Sequence, residues 1–389
     1  MRARFLAHSY PRFPTDPVGS FVLRLAVALK GQGVEVDVVA PAAPGVAAHE
    51  TFEGVPVRRY RYAPRAWETV AYSGTMSAQA RVSWRARAAV AGLLAANARA
   101  AWRAGPAPDV VHAHWWFPGG MAGGWVASLW RRPLVITLHG SDVRTFEGFP
   151  FGRRIFRHVL RRADRVTTVS TWLADAVRAV VPEVDPIVIP MPVAPGLFHP
   201  ADPRPSETRV LFVGKLNAQK GIEPFLRAFA RLRVSATGDI VAGVGSDEVP
   251  WRARAAELGI AERLRWHPLL EQAALARILR EATVLAMPAV HEGLGLVAIE
   301  AQLSGTPVVA FSSGGLKDIV ADGQTGYLVP PGDAEALAVA LDRVLGLPDR
   351  GRALGQAGRR RALELFAPES VARRYAEVYG QLHAGARHP

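Results

Sequence analysis

Twice along the chain, short apolar runs alternate with stretches of helical periodicity, and a proline-rich stretch separates the two series. The first series holds residues 34–39, 55–61, 109–113, 134–138, 166–169 and 187–189, preceded by a strand-like stretch that begins at the first residues. The second holds 209–213, 239–244, 264–266, 283–287 and 308–310. Between them stand Pro190, Pro192, Pro195, Pro200, Pro203 and Pro205, which mark a linker near 190–206. Apolar strands that alternate with helices are covered on both faces and so form parallel sheets. The pattern predicts an α/β fold of two doubly wound, Rossmann-like domains, with ligands at the strand carboxyl ends, in the cleft between the domains. The expected boundaries are 1–193, 194–367 and a terminal helix in 368–389 that crosses back to the first domain; its apolar positions are Val371, Tyr375, Val378, Tyr379 and Leu382.

A chain of 389 residues, 49% of them hydrophobic, can bury two cores. It has no cysteine, which excludes disulfides, thiolate catalysis and cysteine-bound zinc. No apolar run approaches the ~18 residues of a membrane span, and no signal peptide is visible, so a soluble cytoplasmic protein is expected. The net charge of +13 is uneven: residues 1–200 carry 24 Lys and Arg against 13 Asp and Glu, and the remainder 23 against 21. Such a basic first half suits an anionic membrane, an acidic glycan or nucleic acid. Helical patterns at 153–162 and 81–103 set arginines beside apolar residues and would rest on lipid headgroups; the alternative is a solvated basic face.

The segment 286–305 carries the clearest chemistry. An apolar strand is stopped by Pro288, Gly293 and Gly295 let the backbone approach a ligand, and helix-forming residues resume at Leu296. The amides of Gly295, Leu296 and Val297 then point at an anion. Glu292 before the helix and Glu300 one turn inside it reach past that anion towards hydroxyl groups, which fits a phosphate flanked by sugars. A pair of carboxylates also suggests glycoside hydrolysis, but a phosphate lying between the acids makes them binders. Only four lysines occur in the chain, and two of them, Lys215 and Lys220, bracket the loop after strand 209–213. As compact ammonium groups they suit two phosphates; the alternative is a solvated β–α loop. Gly243 and Gly245, then Gly314 and Gly315, line two further strand ends.

In the first half, Gly19 opens a helix rich in apolar residues. No Gly-x-Gly-x-x-Gly stands there, which weighs against a nicotinamide or flavin site. His139 follows strand 134–138 directly and is a candidate for chemistry. His112 and His114 share a strand face, but no third ligand has suggestive spacing and no Asp-x-Asp occurs, so no metal site is expected. Trp115 and Trp116 have aromatic faces that suit a sugar site or, equally, packing; Trp115 with His114 and Asp142 forms the candidate acceptor set.

With these motifs in view, the chain resembles the retaining GT-B glycosyltransferases of family 4. The resemblance spans nearly the whole chain and rests on Glu292-x7-Glu300, on 305–315, and on the run from Asp322 to Asp333. It implies a hexosyltransferase acting on a nucleotide-diphosphate sugar, with Glu300 on the ribose hydroxyls, Glu292 on the transferred sugar, Lys215 and Lys220 on the pyrophosphate, Leu269 near the base and His139 near the reacting centre. Gly19 matches the family's amino-terminal loop glycine. The implied acceptor is a glycan, a lipid-linked sugar or a small molecule, with no metal, no cofactor and no nucleic-acid partner. An anionic membrane surface is a further expected partner, which would place the protein peripherally at the inner face of the membrane. Lys215 stands where arginine is usual, keeping the charge without the bidentate fork, and Leu294 where phenylalanine is common. Pro268 stands where glycine is frequent. A non-catalytic sugar-nucleotide binder and a nucleotide-sugar epimerase on the same fold are the competing readings.

Overall fold

The computed structural model describes residues 1–14, 16–73, 75–147, 151–201 and 206–385. Pro203 and Pro205 of the expected linker lie outside the described residues. The chain divides into two compact units: Met1–Pro192 together with Pro368–Pro389, and Val193–Ala367.

The first unit is built on an eight-stranded sheet. Its strands are β1 (Arg2–Leu6), β2 (Glu35–Pro41), β3 (His49–Phe52), β4 (Val55–Tyr60), β5 (Val110–His114), β6 (Leu134–Leu138), β7 (Arg165–Thr168) and β8 (Ile187–Val188), in the order β3-β4-β2-β1-β5-β6-β7-β8. All neighbours are parallel except β3, which pairs antiparallel with β4 at the edge. The second unit has β9 (Arg209–Gly214), β10 (Thr237–Ala242), β11 (Leu264–His267), β12 (Val284–Met287), β13 (Val308–Phe311) and β14 (Gly326–Val329), all parallel and in the order β11-β10-β9-β12-β13-β14. This is the doubly wound strand order, whose direction of progress reverses between β9 and β12. In the first sheet the same reversal falls between β1 and β5. At each reversal the connections leave to opposite sides and open a crevice at the strand carboxyl ends.

β5, β6 and β12 are buried at every position, which explains their unbroken apolar runs. Three helices are closed by side-chain caps. Ser83 accepts from the Ala86 amide, Ser170 from Leu173, and Asp333 from Glu335 and Ala336. The strand expected at 239–244 runs instead from Thr237 to Ala242, and the Gly243 amide makes the last bond of its ladder with β9, to the Gly214 carbonyl (2.8 Å).

The terminal helix Pro368–Gly385 packs against the first-unit helix Ser20–Lys30. Its Tyr375 and Tyr379 are fully buried, and their hydroxyls enter a polar network inside the sheet. Tyr379 shares a 2.6 Å hydrogen bond with His112 Nδ1, and His112 Nε2 shares another of 2.6 Å with the Thr137 hydroxyl. Thr137 continues to Thr167 (2.6 Å) and Tyr375 (3.2 Å). Both nitrogens of His112 are therefore occupied. Its pairing with His114, whose ring lies 4.4 Å away, is a packing contact. Burial drives His112 well below its ordinary 6.5 and His114 to about 3, so both imidazoles are neutral.

Two outcomes follow from this network. Tyr379→Phe removes one partner and strands a buried nitrogen, which should cost about 1–3 kcal/mol in chemical denaturation; an unchanged midpoint would exclude the network as a stabilising element. Acidification should also destabilise the protein. The unfolded chain binds protons at His112 and His114 below pH 6.5 and the folded chain does not, so stability present above 6.5 is lost as pH falls, by up to about 1.4 kcal/mol per pH unit for each imidazole. Asp142, raised by burial to about 6 from an ordinary 3.8, titrates with the opposite sign. Burial lowers His8 and His139 as well, so with four histidines against one carboxyl the denaturation midpoint should fall between about pH 7 and pH 5.

Candidate active site

In the second unit, three loops meet over the reversal between β9 and β12. The loop after β9 runs from Lys215 to Gly221 and ends in the helix Ile222–Ala230, whose first cap, Gly221, is left-handed (φ 77°). A Cβ there would lie 1.9 Å from the Pro288 carbonyl, so only glycine lets this loop seat on the turn after β12. The Val290 amide ties the two together by donating to the Gln219 carbonyl (2.8 Å). The loop after β13 closes from the other side: the Gly315 amide donates to the Glu292 carbonyl (2.8 Å), and the His291 amide to the Ser313 hydroxyl (3.0 Å).

This seating brings Lys220 and Glu292 together. The ammonium donates to Oε2 at 2.5 Å, with both side chains partly buried. Next to them begins the helix Leu296–Leu303, capped by left-handed Gly295 (φ 99°) without any side-chain cap. The first helix-closing bonds come from Ala298 and Ile299 to the Gly295 carbonyl. The amides of Gly295, Leu296 and Val297 precede those bonds and form the positive end of the helix. Glu300, one turn in, is 5% exposed. Lys215 is exposed at the mouth of the loop, while Gly243 packs against its backbone so closely that a Cβ would meet the Lys215 nitrogen at 2.8 Å. Gly245 is left-handed (φ 72°) with open space around it, and Leu269 is exposed beyond β11, two strands from the reversal. A cation, a helix amino end and two carboxylates thus line one crevice, an arrangement suited to a diphosphate with a hydroxylated group on either side.

In the first unit, the strands flanking its own reversal end in histidine: His8 after β1 and His114 at the end of β5, with His139 after the neighbouring β6. His114 Nδ1 and His139 Nε2 share a 3.1 Å hydrogen bond, so one of these neutral rings donates and the other accepts. Burial lowers His8 to about 4 and His139 well below 6.5. Trp115 packs on both His8 (4.3 Å between ring centres) and His139 (4.5 Å), and Phe21 lies 5.1 Å from His139. Phe21 reaches that position because Gly19 is left-handed (φ 74°) and its missing Cβ would fall 2.5 Å from the Ser9 carbonyl.

The candidate acceptor set needs correction. Asp142 is 1% exposed, and its carboxylate accepts from the amides of Trp116 (3.0 Å) and His139 (2.6 Å). It fastens the turn after β5 to the turn after β6 and has no oxygen turned to solvent. His114 is likewise fully buried, where it orients His139. Trp115, 7% exposed, holds a strained backbone (φ 65°) that the Thr137 carbonyl and the Ser141 hydroxyl keep in place. His8 and Phe21 belong to this cluster but carried no sequence signal beyond a strand end and a helix apolar position. Among the described residues, no group of three or more His, Cys, Asp or Glu is placed to hold a metal ion.

Comparison with known proteins gives the family and the fold. Residues 199–361 match the family of glycosyl transferases group 1, and residues 18–192 the glycosyl transferase 4-like domain. The chain is 31% identical over 319 residues to the alpha-maltose-1-phosphate synthase of Mycolicibacterium smegmatis, covering 72% of this chain and 80% of that protein. It is 35% identical over 306 residues to a D-inositol 3-phosphate glycosyltransferase of Streptomyces avermitilis, covering 70% and 65%. In fold it is similar to the sucrose-phosphate synthase of Thermosynechococcus elongatus (TM-score 0.80, 24% identity, 99% of both chains). A similar match is the Anabaena protein HepE solved with UDP-glucose (TM-score 0.74, 19% identity, 98% of this chain and 100% of that one). The chain therefore belongs to the group 1 glycosyl transferases, and it is a glycosyltransferase of GT-B fold.

Proposed function

We propose that the protein transfers a hexosyl group from a nucleotide-diphosphate sugar to an anionic or lipid-linked acceptor with retention of anomeric configuration. The observation that carries this reading is the Lys220–Glu292 pair at 2.5 Å beside the uncapped amides of Gly295, Leu296 and Val297. On binding, the diphosphate takes the ammonium and the helix end, and Glu292 is released to the hydroxyls of the sugar. Glu300 holds the ribose, Lys215 adds charge at the outer phosphate, Gly243 and Gly245 leave room for the donor, and Leu269 borders the base.

In the reaction, the acceptor oxygen bonds to the anomeric carbon on the face from which the diphosphate departs. The C–O bond to the diphosphate breaks, and the acceptor proton passes to a departing phosphate oxygen. Lys220, Lys215 and the helix amides stabilise the charge that develops there, which is the task a metal performs elsewhere, so none is required in this scheme. His139 stays neutral, offering a hydrogen bond near the reacting centre without adding a second positive charge. Both sequence relatives are named for phosphorylated sugars or polyols, and the basic first half of the chain suits such an anionic acceptor. The same positive charge supports an anionic membrane surface as a further partner.

Two measurements test this. UDP, GDP, ADP and their sugars should be screened without metal; one series should raise the melting temperature, since a ligand at a hundred times its Kd adds about 2.7 kcal/mol. That stabilisation should disappear in Glu300→Ala, and a protein indifferent to every nucleotide would remove the donor assignment. In EDTA, the wild type should turn over with the donor's anomeric configuration kept in the product, as read by NMR. Lys220→Ala should lower kcat by on the order of 10²–10³. Inverted product, dependence on metal, or undiminished turnover in Lys220→Ala would each overturn the corresponding part of the mechanism, and sugar-nucleotide conversion without acceptor would indicate epimerisation.

A further inference from the structure

Three segments of the first unit share an unusual composition. Helix Trp84–Arg103, residues 121–132 and residues 152–162 contain eleven arginines, every one exposed, and no Asp or Glu. They connect β4 to β5, β5 to β6 and β6 to β7, all progressing in one direction along the sheet, so right-handed crossovers place them on the same face. Their contacts make the layer continuous. Trp102 stacks on Trp130 at 5.3 Å, joining the first two segments, and Trp125, His158 and Arg162 line one shallow depression between the second and third. Among the described residues, acidic partners reach this layer at its edge, where Glu147 lies 4.0 Å from Arg153 and Glu183 lies 3.1 Å from Arg161 and 4.0 Å from Arg157.

The same layer exposes large apolar side chains among the arginines. Leu129 is 65% exposed, Trp125 and Trp102 44% each, and Ile155 37%. Trp125 and Leu129 are four residues apart on helix Met121–Trp130 and so share a face, while Ile155 and His158 share one on the neighbouring helix Gly152–Leu160, with Arg162 just past its end. Solvation explains exposed arginines, but it does not explain exposed tryptophan, leucine and isoleucine packed between them. Nucleic acid would take the charge and the tryptophans and leave Leu129 and Ile155 in water.

We propose that this helix layer is a docking face for an anionic lipid bilayer, with Trp125, Leu129 and Ile155 entering the headgroup boundary and the arginines binding lipid phosphates. The proposal rests on the reading of the basic first unit as a membrane partner and assigns that role to a particular face. Aromatic rings favour the interfacial depth, and each basic residue near an anionic surface adds attraction. No described helix is long and apolar enough to cross the membrane, so the attachment is peripheral.

Co-sedimentation of the full chain with vesicles tests it. The protein should bind vesicles of phosphatidylglycerol in phosphatidylcholine, ignore pure phosphatidylcholine, and detach in about 1 M salt, where the Debye length falls to about 3 Å. The pair Arg154→Glu and Arg162→Glu should weaken binding at least about tenfold, and the pair Trp125→Ser and Leu129→Ser should do the same at unchanged charge. All four sites are exposed, so circular-dichroism melting should match the wild type and nucleotide stabilisation should persist. Vesicle binding that both variants keep would sink the face while leaving the basic unit a membrane partner. No vesicle binding by the wild type would overturn both, and retention on duplex DNA in its place would assign the charge to nucleic acid.

Discussion

Lys220 and Glu292 can meet because β9 and β12 are adjacent strands whose connections leave the sheet on opposite sides. Seventy-two residues separate them, yet one glycine decides whether they touch. Gly221 must sit where a Cβ would collide with the Pro288 carbonyl, and any other residue would lift the lysine loop away from the glutamate turn. Gly314 meets the same constraint from the third loop, since its missing Cβ would fall 2.3 Å from the Glu292 carbonyl. Close backbone approach, made possible by side chains that are absent, is what gathers charge at this crevice.

Two sets of helix starts satisfy their first turns differently. Ser83, Ser170 and Asp333 spend a side-chain oxygen on the amides of helices that only support the sheets. Gly19, Gly221 and Gly295 have no oxygen to give, and all three open helices at strand carboxyl ends next to a reversal. Gly351 too is left-handed and uncapped by its own side chain, but Asp349 accepts from the Gly351 and Ala353 amides. An uncapped start is not by itself the mark of a site, since the helices Met121–Trp130 and Gln272–Glu281 also lack a side-chain cap.

This difference explains what could be read from the sequence. Glycine names its own conformational freedom, so Gly295 was legible as a site of close approach and Gly19 and Gly243 as turns, and the apolar runs gave most strands. β3 and β14 were not legible, because His49–Phe52 is a half-exposed edge strand and Gly326–Val329 is four residues opening on glycine. Asp142 looked like a ligand contact because a carboxylate beside a candidate catalytic histidine has two physical uses, and spacing does not distinguish binding a substrate from binding two backbone amides. Tyr375 and Tyr379 read as helix packing positions. Their hydroxyls matter only because the chain returns to the first unit and lays them beside His112.

That return has a consequence for His139. Tyr379 fixes His112, His112 packs on His114, and His114 hydrogen-bonds His139, so the orientation of the candidate catalytic ring depends on a helix that follows the whole second unit in sequence. Asp142 holds the His139 backbone independently, through an amide. Ring orientation and backbone position are thus set by different groups, one from the end of the chain and one from three residues away. A substitution at Tyr379 therefore bears on the series of rings from His112 to His139 and not on the Asp142 bond that holds the loop.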